Sequence, residues 1–495
     1  MRVPLILPAL LALTTLVSAA GPAAPSSGSA WYRIVTEGGT PIGHASREIV
    51  QKSDGRDIVD TQAVDVEEQP GPLAVMSWRT LPKQDNMSWR TVRTEDRAGR
   101  TVSISASAMI GRDWTRTEAR IAGDKAEITR QTPTETRTST ITLPPDVRFD
   151  GGTELLRSWD PASMPRLEFE DFNIDSMTVD RVTIEAVRDA PPDPQGRVAV
   201  LRKRYDGDQL RTVARLMLDG EHRIAEARQP MFGTSILIEA TDRDTALKPN
   251  SPYRILPDVM TKSPFLISTA AKLGHIRYRF SFRDGIVFAL PQTGEQRASA
   301  APSSVTLDIC RDCGPGLPSD KATLADALKP TAWLQSDHPR LRAIADPVAK
   351  LRISDSAKMN LLLERAKPYL RNVDFTGHYS ALETLERRSG DCTEAAVLLA
   401  ALGRAAGIPT RVADGLVYSR ESYHGVSNVF MPHSWTLAWA DGKWRSFDLA
   451  LDDFDNTHIA ITVGDGDERS LLAAGQLAGL LRWEEMAEVR TRPAN

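Results

Sequence analysis

Between residues 31 and 241, apolar and polar side chains alternate in short runs broken by turn residues, the period-two pattern of strands with one buried face. Val182-Thr183-Ile184-Glu185-Ala186 and Val198-Ala199-Val200 are such runs, and Asp219-Gly220 parts Arg215-Leu216-Met217-Leu218 from a run through Ile224 as a hairpin turn would. Residues 30–255 are therefore read as a β-rich, mostly antiparallel domain, which Pro144-Pro145 and Pro191-Pro192 leave open to division into two units. Met76-Ser77-Trp78-Arg79-Thr80 recurs as Met87-Ser88-Trp89-Arg90-Thr91. Two copies are too few for a solenoid. They predict two hairpin strands facing each other, tryptophans on a common face.

A helix is expected around 256–273, followed by a second β stretch from His275-Ile276-Arg277-Tyr278-Arg279-Phe280 to Ser304-Val305-Thr306-Leu307-Asp308-Ile309. Residues 270–316 read as a small β module. Beyond Gly316 the period lengthens: Leu341, Ile344, Ala345 and Val348 mark one helix, Leu362, Ala366 and Leu370 a second, and Leu382, Leu385 and Glu386 a third that ends near Ser389-Gly390. A fourth, from Cys392 to Ala406, has Ala395, Ala396, Leu398, Leu399, Leu402 and Ala405 as its apolar positions and stops at Gly407 and Pro409. Runs 434–440 and 443–449 then read as strands joined by Asp441-Gly442. The fold class is α+β: a β-rich N-terminal region, a small β module, and a mixed domain over 320–495.

Composition narrows the setting. With 495 residues, 41% hydrophobic and 25% charged, the chain is that of a multidomain globular protein. A net charge of -4 without a dense basic run argues against a nucleic-acid partner. Met1-Arg2, an apolar run over 3–17 and Ser18-Ala19-Ala20 read as a secretory signal over 1–20, and the Gly-, Ala-, Pro- and Ser-rich residues 21–29 as a flexible leader. No later run is long and apolar enough to span a membrane, so a periplasmic or extracellular location is expected.

Three cysteines follow, Cys310, Cys313 and Cys392. In an oxidising compartment Cys310 and Cys313 would most simply close a small disulfide and leave Cys392 free. Zinc fits less well, lacking a second ligand pair, as does a redox CxxC, which would open a helix where Gly314-Pro315-Gly316 makes a turn.

Cys392 stands at the start of an apolar helix, where unpaired amides and the helix dipole are expected to favour thiolate and to receive an oxyanion. His433 is placed to hold its proton, and the 434–449 hairpin would bring Asp448 beside His433 to fix its tautomer. Alone, each has a plainer reading: a lone cysteine before an apolar helix is usually a small buried hydrophobe. Their order, and the hairpin joining the last two, lift the set above that.

Gly390-Asp391-Cys392-Thr393-Glu394, Leu402 with Arg404-Ala405-Ala406-Gly407-Ile408-Pro409-Thr410-Arg411, Gly415-Leu416-Val417-Tyr418, His433-Ser434-Trp435, Trp444 and Asp448 together resemble the transglutaminase-like superfamily of papain-type cysteine folds, over roughly 328–462. The resemblance implies a nucleophile helix packed on an antiparallel sheet bearing His and Asp, with activity on amide or thioester carbonyls. Bacterial exported members often carry a β-rich N-terminal region. Ala395 stands where many bacterial relatives have His, and Leu449 where Pro is common. An upstream polar residue usually completes the oxyanion hole, and Tyr379 is the candidate. His424 reads as a solvent-facing loop residue, and Asp455-Asn456-Thr457-His458 as structural.

The expected function is an exported thiol enzyme that cleaves or transfers acyl groups at peptide or side-chain amides through Cys392, His433 and Asp448. The alternative is a binding or envelope-assembly protein that uses the papain-like domain as a scaffold. Transfer from a thioester donor is disfavoured by export away from coenzyme A. The expected partner is a peptide or protein amide substrate. No EF-hand calcium loop is present, and no cofactor is implied. Oligomeric state is left unset.

Overall fold

The computed structural model describes residues 28–67, 84–110, 113–133, 136–161, 163–187, 191–232, 234–251, 253, 258–371, 378–421 and 426–489. The residues read as a signal sequence, most of those read as a leader, the first Trp motif and His424 lie outside them. Two compact units divide the chain between Ile255 and Leu256.

The first unit is one antiparallel sheet of fourteen strands: β1 (Gly28–Thr36), β2 (Pro41–Lys52), β3 (Gly55–Glu67), β4 (Gln84–Asp96), β5 (Thr101–Ile110), β6 (Asp113–Ala122), β7 (Lys125–Gln131), β8 (Thr136–Thr142), β9 (Arg166–Asn173), β10 (Thr178–Ala186), β11 (Val198–Asp206), β12 (Gln209–Leu218), β13 (Ile224–Met231) and β14 (Thr234–Thr241). Its order runs β8 to β1 and then β14 to β9. Short turns make sequence neighbours into spatial neighbours, and the β1–β14 pairing joins the two meanders into one sheet. The Asp219-Gly220 hairpin forms, with Leu218 paired to Ile224.

The second Trp motif lies in β4, but both edges of that strand are taken. Trp89 pairs with Gln62 of β3 and Ala108 of β5, so it does not face a strand carrying the first motif. The register follows the meander rather than the repeat. One face of the sheet buries Tyr32, Ile34, Val182, Ile184, Leu216 and Ile236. Ion pairs share the interior: Arg47 with Asp60 at 2.7 Å and Arg204 with Asp171 at 2.5 Å.

The second unit holds two sheets. In the smaller, β16 (Ile276–Phe282), β17 (Gln296–Ala301) and β18 (Ser304–Ile309) are joined by β23 (Leu481–Glu488) in the order β17-β18-β16-β23. The stretch read as a module of its own thus shares its sheet with the last strand, Tyr278 pairing with Met486. Of the helix expected at 256–273, residues 256–257 lie outside the described ones, 258–259 are helical, β15 (Thr261–Lys262) follows, and a short helix over Thr269–Leu273 is capped by the Ser268 side chain. Pro264 and the capping serine set its late start.

The larger sheet has the order β15-β20-β19-β22, with β21 also on β20; these are β19 (Thr410–Ser419), β20 (Val429–Ala440), β21 (Lys443–Phe447) and β22 (Ile459–Gly464). β15 takes one edge of β20 at Val429 and Phe430, and β21 takes the same edge from Thr436 to Ala440. His433 stands in the interval between them. Helices α1 (Pro339–Ala349), α2 (Asp355–Ala366) and α3 (Ala381–Arg387) surround α4 (Cys392–Ala405), whose fourteen residues are all buried. Its polar residues are satisfied inside the core, Glu394 by the Tyr379 and Asp391 amides and Arg404 by the Lys329 and Thr410 carbonyls. It packs on β20, where the Thr436 hydroxyl donates to the Ala396 carbonyl at 2.9 Å. α5 (Glu468–Gly479) packs against β19 and β22.

Candidate active site

The α3–α4 connection aims the thiol. Arg388 closes α3 with φ 52°, and Asp391 caps α4 with its side chain on the Thr393 amide at 2.8 Å. Glu394 reaches back to the Asp391 amide at 2.8 Å, completing a capping box. Glu394 also accepts from the Tyr379 amide at 3.0 Å. A Cβ on Gly390 would lie 2.5 Å from that of Glu394, so the chain can pass here only as glycine.

These caps change the electrostatics expected of Cys392. Burial pushes the fully buried thiol well above its usual value; the Asp391 carboxyl adds to this, the Ser434 backbone amide opposes it, and Asp448 and Glu394 add further. A helix terminus is worth about 0.3–1 kcal/mol in stabilising an anion, whereas full burial can shift a group by about 3–5 pKa units. Burial wins. The balance runs against the thiolate that a bare helix start would favour, and the carboxyls that cap the first-turn amides add to it. Glu394 is itself raised well above the carboxylate range, by burial first and then by Asp391.

His433 and Asp448 meet as the hairpin predicts. Asp441 and Gly442 have φ 54° and 78°, the positive pair of a tight hairpin turn, and Trp439 faces Trp444 across it. His433 Nε2 lies 2.7 Å from Asp448 Oδ2, and Asp448 Oδ1 accepts from the amides of Ala450 at 2.8 Å and Leu451 at 3.1 Å. Burial works against ionising Asp448, but His433 and His458 hold it well below the usual carboxylate range. An ionised carboxylate only accepts, so His433 Nε2 carries the proton. Its Nδ1 is buried and has no hydrogen-bond partner among the described residues. The Ser434 amide bond to the sulfur puts the start of α4 beside this part of β20.

A second histidine completes the group. His458 Nε2 lies 3.0 Å from the same Asp448 Oδ2, and its Nδ1 lies 2.8 Å from the Asp455 carbonyl oxygen. On sequence alone this residue reads as structural. Its one local signal is Asp455, three residues earlier, whose carboxylate lies 3.5 Å from Nδ1. Donor atoms of His433, Asp448 and His458 lie within 4.8 Å of one another. To ligate a cation they would have to give up hydrogen bonds of ordinary length, so the set reads as a hydrogen-bonded ion network.

Tyr379 is held by its backbone amide on Glu394, and the Arg387 guanidinium covers its ring at 3.9 Å. Cys310 and Cys313 form a disulfide, and Cys392 is free. Between the two cysteines, Asp312 pairs with Lys443 at 3.1 Å and Arg445 at 3.6 Å, both on β21. Buried Glu295 accepts from the Ser446 amide and hydroxyl at 3.0 and 2.8 Å, bracing the same strand two residues before Asp448.

Residues 342–449 match the family described as the transglutaminase-like superfamily. Among solved structures the chain is similar to a candidate cysteine protease from Cytophaga hutchinsonii, at 18% identity over 44% of this chain and 91% of that one, with a TM-score of 0.28. It is also similar to a β-barrel-like protein of a domain of unknown function from Brucella abortus, at 14% identity over 43% and 95%, with a TM-score of 0.31. A candidate protease from Parabacteroides distasonis gives 12% identity over 68% and 64%, with a TM-score of 0.19. No curated protein matches the chain.

Proposed function

We propose, from a chain whose residues 342–449 form a transglutaminase-like domain, that it is an exported thiol enzyme acting on peptide or side-chain amides. Cys392 attacks the carbonyl carbon while His433 Nδ1 takes the thiol proton; Asp448 holds the imidazole in that tautomer. The carbonyl π electrons move to oxygen, then return as the C–N bond breaks, and His433 hands its proton to the leaving amine. Water or a second amine then attacks the thioester carbon, giving acid or a new amide and restoring the thiol.

The observation that carries this reading is the His433 ring itself: Nε2 is committed to Asp448 at 2.7 Å, and the buried Nδ1 has no partner among the described residues, while the amide of the next residue, Ser434, bonds the Cys392 sulfur. A buried histidine with purely structural duties would satisfy both nitrogens. Iodoacetamide alkylation of Cys392, followed by mass spectrometry at native pH, tests it. The wild type should react at least tenfold faster than H433A, with both proteins folded. Equal rates, or labelling that merely follows unfolding, would exclude His433 as the base and favour the scaffold alternative.

A further inference from the structure

We infer that His458 is a positioning residue of this site: a fixed imidazolium that pins Asp448 and supplies the positive charge its buried carboxylates lack. The inference rests on the reading of Cys392, His433 and Asp448 as the reacting set. His458 Nδ1 faces a backbone carbonyl oxygen at 2.8 Å and Nε2 faces a carboxylate oxygen at 3.0 Å. Neither acceptor can donate to a ring nitrogen, so both nitrogens must carry protons, and the ring is charged.

The surroundings agree. Asp448 arrives from the end of β21, and Asp455 from the loop before β22, its own charge shared with Lys272 at 3.1 Å. From β20, His433 lies 5.3 Å away between ring centroids and Trp435 5.1 Å away, while Phe454 covers the ring at 4.5 Å. Aromatic faces suit a cation. Burial alone would drive the ring neutral, but hydrogen bonds and charges from Asp448 and Asp455 outweigh it and raise its pKa to about 9.

The charge balance of the site shows what this does. Around the thiol stand Asp391, Asp448 and Glu394, each making its proton harder to remove. His458 offsets Asp448 through the same oxygen that His433 uses. A unit charge within about 4–6 Å shifts a pKa by about 1–3 units. Removing a cation makes every neighbouring proton harder to lose, whichever group of a coupled set carries it.

H458Q separates charge from geometry, since the glutamine amide nitrogen can keep the bond to Asp448 without the charge. The pH profile of Cys392 alkylation should shift to the alkaline side by about one unit or more in H458Q, about a tenfold loss of rate on the rising limb. In the wild type, 15N NMR of histidine-labelled full-length protein should show both His458 nitrogens protonated at pH 7. An unshifted profile in folded H458Q, or a neutral His458 in the wild type, would overturn the inference. If H458Q does not fold, the wild-type spectrum alone decides. Alkylation indifferent to H433A is a separate result, and refutes the proposed function without reference to His458.

Discussion

His433 and Asp448 meet although they stand outside the hairpin ladder, three residues before Thr436 and one after Phe447, the last pair in register. The contact closes a diagonal across the open interval of β20, and two backbone amides fix the far side of the carboxylate. D448N therefore removes the acceptor that sets the His433 tautomer and leaves the His458 cation without its partner. Cys392 alkylation should fall by about 10²–10⁴-fold, the usual weight of a positioned base. Urea unfolding should show a loss of about 3–5 kcal/mol, the cost of leaving a buried charge unpaired. A folded D448N with wild-type labelling would contradict the assignment.

His458 predicts how stability depends on pH. Its folded pKa, about 9, lies above the unfolded value of 6.5, so its contribution is complete below pH 6.5 and is lost as pH rises through about 9. The full contribution is on the order of 3 kcal/mol, at about 1.4 kcal/mol per unit. Urea midpoints measured from pH 6 to 9.5 should fall in the wild type and fall less in H458Q. Parallel curves for the two would remove His458 as the source.

Gly415 pairs with His433 in the β19–β20 ladder. A Cβ there would lie 1.9 Å from the Ile459 carbonyl oxygen, backbone that cannot move aside without shifting β22 and His458. G415A should cost about 1–3 kcal/mol, the range for forced overpacking. It should also slow Cys392 alkylation, whereas alanine at exposed Gly220, where a Cβ meets open space, should do neither.

The Cys310–Cys313 disulfide closes a short loop whose Asp312 reaches Lys443 and Arg445 on β21. In the chain-entropy account, a loop of about four residues is worth about 2 kcal/mol. The double variant C310S/C313S should unfold earlier by about that amount and retain a Cys392 that alkylates at the wild-type rate when folded. Loss of alkylation in folded C310S/C313S would assign the pair a role in the site.

The sequence makes local relationships readable. The Asp441-Gly442 turn and two alternating runs define the hairpin, and the apolar stretch after Asp391 defines α4, because both depend on periods of a few residues. The raised thiol of Cys392 is not local. It follows from helices that bury the turn and from Asp391 and Glu394, whose carboxylates serve as caps. His458 escapes for a related reason: it reaches Asp448 from the residue before β22, a strand that borders β19 on the far side from β20. The paired Trp motifs mislead because identical sequence suggests pairing, while both edges of the second motif's strand are taken by β3 and β5.

The β16–β23 pairing spans about two hundred residues, since Arg279 of β16 meets Glu485 of β23. Such long-range pairing is slow to form. A growing chain could complete the nucleophile helix, the hairpin and the loop of His458 and still lack the strand that borders β16. The smaller sheet is therefore complete only once β23 has joined it, and a cut or tag within 481–488 would act on the maturation of a site that the strand itself does not build.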